Sequence, residues 1–159
     1  MAHSLPSMGD WPMSLDNLVG RGLQREPSDG EEVRRYLRRI ASRIADARSD
    51  SISLESRFDL AYEALLQTGL VALRAHGYRV DSRGGHHVTA LQTLNLTVGY
   101  PKEKLRLADQ FRRQRSQGLY DGSFEPTGAE VTALIELTDE VRLHLHRWLE
   151  QHRPEWLDQ

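Results

Sequence analysis

Ser53–Gly77 reads SLESRFDLAYEALLQTGLVALRAHG, and this run decides the fold. Phe58, Ala61, Tyr62, Leu65, Gly69, Leu73 and His76 recur at helical spacing, and Leu66 and Leu70 widen the stripe. Ser53 suits the N-cap, Glu55 sits in the first turn, and Gly77 has the position of a left-handed C-terminal residue. A helix this apolar on so wide a face must be covered on more than one side. The remaining segments are therefore sought as helices gathered around it.

Upstream, Asp29 and Glu32 have capping-box spacing, and Val33, Leu37, Ile40, Ala41 and Ile44 form one stripe. The opposite face carries Arg34, Arg35, Arg38, Arg39 and Arg43, which reads either as a solvated helix face or as a phosphate-binding surface. Downstream, Thr127 and Glu130 make a second capping box. Val131, Leu134, Val141, Leu145 and Trp148 then keep helical register towards Pro154. Tyr78–Gly85 reads as a loop, and His86–Leu94 as a shorter helix with Val88, Leu91 and Leu94 inward. Gly99, Tyr100 and Pro101 separate it from the next helix. No segment reads as a strand. The expectation is an all-α protein, an antiparallel up-and-down bundle of four main helices plus a shorter one. Residues 1–28 read as a flexible arm with a short docking turn through Trp11, Met13, Leu15, Leu18 and Val19, and residues 29–153 as the bundle domain.

The helix at Leu105–Asp121, LRLADQFRRQRSQGLYD, mixes pattern and chemistry. Leu107, Ala108 and Phe111 share an apolar face, and Arg112 and Arg113 lie within a turn of Asp109. Arg115 falls four residues after Phe111, where a guanidinium needs a partner or a groove. Asp59 and Glu63, one turn apart on the central helix, are the candidate partners, so Arg115 reads either as a structural ion pair or as a ligand-facing group. Gly118 reads as the helix breaker, with Tyr120 and Asp121 in the turn, where Tyr120 could simply pack its ring at the helix end.

The 159 residues suit one domain. With 21 basic and 23 acidic residues the net charge is -2, so any nucleic-acid surface must be local. The chain has no cysteine, which removes disulfides and thiol chemistry and fits the cytoplasm. No apolar run reaches the length of a membrane span. His86 and His87 are adjacent and His144 and His146 two apart, so neither pair shares a helix face at metal-ligand spacing. No metal or cofactor is expected, and the His86-His87 pair also reads as a plain helix start.

Three segments together resemble the HEPN domain superfamily, in particular its SAV_6107-like group: Arg57–Ala64 (RFDLAYEA), Gly85–Leu91 (GHHVTAL) and Arg112–Tyr120 (RRQRSQGLY). The resemblance implies a helical bundle that dimerises. It implies either a metal-independent endoribonuclease toxin of a toxin–antitoxin system or a binding domain that engages RNA or a small nucleotidyltransferase. In active members arginine holds the scissile phosphate and a histidine, after four to six intervening residues, moves the proton. Here that register places Tyr120, with a pKa of ~10 in its free state, where the histidine would stand. Ser116 likewise replaces the common asparagine. The expectation is therefore a catalytically degenerate binding domain. Its contact set would be Asp59, Glu63, His86, His87, Arg112, Arg115 and Tyr120, with Arg115 and Tyr120 as the catalytic candidates if cleavage survives. A plain structural scaffold is the third reading.

Overall fold

The computed structural model describes residues 14–81 and 85–157. In chain order, a short 3-10 turn at Leu15–Leu18 leads to strand β1 (Leu23–Arg25). Then follow α1 (Gly30–Ala47), α2 (Leu54–Ala75), strand β2 (Tyr78–Val80), α3 (His86–Gln92), α4 (Leu94–Val98), α5 (Leu105–Asp121) and α6 (Gly128–His152). The protein is an all-α helical bundle with one small two-stranded sheet.

Helix α2 is the axis of the molecule. Helices α1 and α6 pack on it along their length, and α3, α4 and α5 meet it on the remaining side. Phe58, Ala61, Tyr62, Leu65, Val71, Ala72 and Leu73 are all sealed from water, as the wide stripe requires. The caps form as the sequence implies. Ser53 accepts from the Ser56 amide at 3.1 Å, and Thr127 and Glu130 close a full capping box. Asp29 caps α1 at 2.8 Å, but the Glu32 side chain does not close the box and turns to Ser28 and Arg74 instead. On α1 the stripe shifts slightly, with Ala47 buried and Ala41 exposed. In α5 Leu105 and Ala108 are buried, while Leu107 stays 39% exposed.

Two features correct the sequence reading. The expected docking turn forms at Leu15–Leu18, but residues 14–28 as a whole pack on the bundle instead of forming a flexible arm. Leu15, Leu18 and Leu23 are buried with Leu73, backed by Tyr78, Val80 and Leu96. β1 pairs antiparallel with β2, with Gln24 opposite Arg79, so part of the expected Tyr78–Gly85 loop is a strand. Strands of three residues leave too short an alternation to stand out from a loop. Residues 1–13, which include Trp11 and Met13 of the expected docking turn, and residues 82–84 lie outside the described residues. At the other end the bundle continues past residue 153, since Trp156 and Leu157 pack against the core.

Gly118 is the second correction. It does not break α5, which runs on to Asp121 and ends at Gly122 in the left-handed region (φ 71°). A Cβ at Gly118 would stand 2.2 Å from the Phe124 side chain, so its glycine allows the returning chain to lie against the helix. Gly69 does the same on α2. A Cβ there would meet the Ala90 carbonyl oxygen at 2.5 Å, so glycine sets how closely α3 approaches the central helix. Among the described residues no helix is long and apolar enough to cross a membrane.

Candidate functional site

Helix α5 presents Arg112, Arg115, Ser116 and Leu119 at i, i+3, i+4 and i+7, which is one face of a helix. That face looks onto the start of α3, where Gly85, His86, His87 and Val88 lie, and onto Tyr62 of α2. These residues line an open cleft of about 300 Å³. The three segments quoted for the family resemblance thus converge on one place, brought together by the close Gly69–Ala90 approach of α3 to α2.

The arginines are held but not saturated. Arg115 Nε is 3.2 Å from Asp59 Oδ1, and its guanidinium carbon lies 5.2 Å from the centroid of the Tyr62 ring. Arg112 Nε is 2.9 Å from Asp109 Oδ1, and Arg113 takes the other oxygen of that carboxylate at 2.8 Å. Both cleft arginines spend Nε on their carboxylate. Among the described residues their terminal nitrogens make no hydrogen bond, so the outer fork of each remains open to an anion.

The histidines bring a neutral partner. Tyr62 Oη and His87 Nδ1 are 3.0 Å apart, and the His86 ring stands edge-on to His87 at 4.5 Å. Burial, then the charges of His86, Arg115 and Arg112, lower the His87 pKa to about 4. Burial raises the Tyr62 pKa to about 12, against the pull of the two arginines. Tyr62 therefore keeps its proton, and in the tautomer where its hydroxyl donates to Nδ1 the Nε2 of neutral His87 is an N–H donor. At neutral pH the cleft combines two guanidinium forks, an imidazole N–H and the Ser116 hydroxyl. That set accepts an anion with several oxygens.

Of the residues named from sequence, Arg112, Arg115, His86 and His87 line the cleft, and Asp59 positions Arg115 from its edge. Glu63 does not reach Arg115; its carboxylate accepts from Gln67 Nε2 at 3.3 Å. Tyr120 does not line the cleft. The uninterrupted helix carries it past the lining face, and it is 92% exposed. Tyr62, Ser116 and Leu119 enter the site without having been named for it. The i, i+3, i+4, i+7 spacing from Arg112 to Leu119 was the available signal for the last two. Tyr62 was hidden because a tyrosine on an apolar stripe reads as core. Its ring is core, while its hydroxyl reaches the cleft.

Two further histidines serve packing: His76 Nε2 meets the Thr97 carbonyl at 2.7 Å, and His144 stands against Tyr100. Among the described residues, no three His, Cys, Asp or Glu side chains gather as a metal site would require. Comparison with protein-family models, with curated proteins and with solved structures finds no match.

Proposed function

We propose that the chain is a HEPN-like bundle that binds single-stranded RNA by a backbone phosphate seated in the α3–α5 cleft. One observation carries the reading. Arg112 and Arg115 each present an open guanidinium edge to a cleft that also holds an uncharged imidazole. Phosphate oxygens match such forks in geometry and charge, and the His86 and His87 rings offer aromatic surface beside them. A protein partner of the nucleotidyltransferase type has less support, because it would not need polar groups converging on one small cleft. Leu119 and Tyr120, exposed at 66% and 92% beside the cleft, supply an apolar margin on which a second copy would pack, and sedimentation tests that dimer.

A second reading, a ribonuclease, is favoured by the placing of His86 and His87 next to the arginine pair. The histidine absent from the α5 register would then be supplied by α3. In that reading neutral His87 takes the other tautomer, with Nδ1–H donating to Tyr62 Oη and Nε2 free as a base towards a 2′-hydroxyl, although a pKa of about 4 makes it a weak one. One experiment separates the two readings. The protein is incubated with fluorescent single-stranded RNA without added metal, and retention and chain length are both measured. Salt-sensitive retention of intact RNA, weakened in Arg115→Ala, supports binding. Cleavage lost in Arg115→Ala and His87→Ala supports the ribonuclease. No retention and no cleavage overturns both.

A further inference from the structure

A second, roomier concavity lies away from the cleft and shares no lining residue with it. Helices α1 and α6 both pack on α2, and between them runs a groove of about 630 Å³. Its floor is dry. Ile40 and Leu145 are buried there, and the Thr68 hydroxyl is already bonded to the Ala64 carbonyl at 2.7 Å. Leu37, Leu143 and Leu157 form the walls, and Leu143 is 47% exposed. The rim is cationic. Arg34 lies with Nη1 3.3 Å from the Trp156 carbonyl oxygen, and Arg142 is 3.3 Å from Asp139. Arg38 forms no ion pair among the described residues. Asp139 is the acid of the lining, and it is also bonded by Arg48, so the rim keeps an excess of positive charge.

We infer that this groove is a binding site for a single-chain amphiphilic anion, an acyl chain with one carboxylate or phosphate head. The leucine walls would be wasted on a hydrophilic polyanion, and the unpaired Arg38 on a neutral apolar molecule. A tail along Leu37, Leu143 and Leu145 with its head at Arg38 and Arg142 uses both halves of the lining. The volume is in the usual range for small-ligand sites. Burial of the tail supplies the affinity and the arginines fix the orientation.

The test is calorimetric titration of the full chain with decanoate, decyl phosphate, decylamine and acetate. The expected result is one decanoate or decyl phosphate per chain, with decylamine and acetate at least tenfold weaker. The preferred head, carboxylate or phosphate, identifies the natural ligand's class. Arg38→Gln and Leu143→Gln change exposed side chains, and each is expected to weaken decanoate several-fold with the melting curve unaltered. Arg115→Ala should leave decanoate binding unchanged, which keeps this result independent of the RNA reading. Equal binding of decylamine, a stoichiometry well above one, or decanoate affinity indifferent to Arg38→Gln and Leu143→Gln would each overturn the assignment.

Discussion

Arg74 and Arg115 both tie one helix to a carboxylate on another, yet they sit in opposite surroundings. Arg74 is 4% exposed and fully used. Nη1 donates to the Glu26 carbonyl at 2.7 Å and the Tyr78 carbonyl at 3.2 Å, Nη2 to the Pro27 carbonyl at 3.0 Å, and Nε and Nη2 to Glu32. It fastens residues 26–28 and strand β2 to the central helix. Arg115 spends one nitrogen on a half-exposed aspartate and turns the rest towards an open cleft. A guanidinium whose donors are consumed internally is a staple; one held by Nε alone is a positioned receptor. The residue type is the same in the two cases, and the burial and saturation of the donors separate them.

The largest effect should come from breaking the staple. Arg74→Ala removes the buried donor shared by Glu32 and the Glu26, Pro27 and Tyr78 carbonyls and is expected to cost about 3–5 kcal/mol in urea unfolding. Faster proteolysis in the 14–28 segment should accompany it. On the cleft side the corresponding break is steric. Gly69→Ala drives a methyl into the Ala90 carbonyl, should destabilise by about 1–3 kcal/mol, and should loosen RNA retention by displacing the start of α3.

Arg115→Ala sharpens the contrast. Its exposed ion pair contributes at most about 1 kcal/mol to folding. RNA affinity, by contrast, should fall about tenfold, measured by filter retention at low salt. Similar losses of stability in Arg74→Ala and Arg115→Ala would refute the distinction between staple and receptor.

The smallest effect concerns pH. His87 titrates at about 4 when folded and near ~6.5 when unfolded, so between those values the unfolded chain binds more protons. Its contribution to stability is complete above about pH 6.5 and is lost as the pH falls towards 4. His87→Asn should flatten that part of the stability profile in thermal melts. A residual slope should remain from His76, which burial also holds below its ordinary value.

Much of the bundle was legible in advance. The long helices, their caps at Ser53 and Thr127 and the central place of α2 follow from periodicities that span many turns. The errors fall where the signal is short or ambiguous. β1 and β2 have three residues each, and they pair across more than fifty positions of the chain, with Gln24 opposite Arg79. Gly118 carries the same letter as a helix terminator, but its task is to admit Phe124. In the site, Arg115 with Asp59 and the His86-His87 pair were anticipated. Tyr120 was not placed correctly, because its position depended on α5 ending at Gly118.

By itself the sequence determined the all-α class, the helix that lies at the centre, and a short set of polar residues that the apolar stripes leave unexplained. Local hydrogen bonding and the hydrophobic period of each helix carry that information within a few turns. Tertiary structure alone decided that Arg112, Arg115, His86, His87 and Tyr62 share a cleft, and that Arg74 is consumed while Arg115 stays open. Those outcomes depend on how closely helices approach and on which donors are satisfied across them. Both are properties of distance in space, which spacing along the chain does not encode.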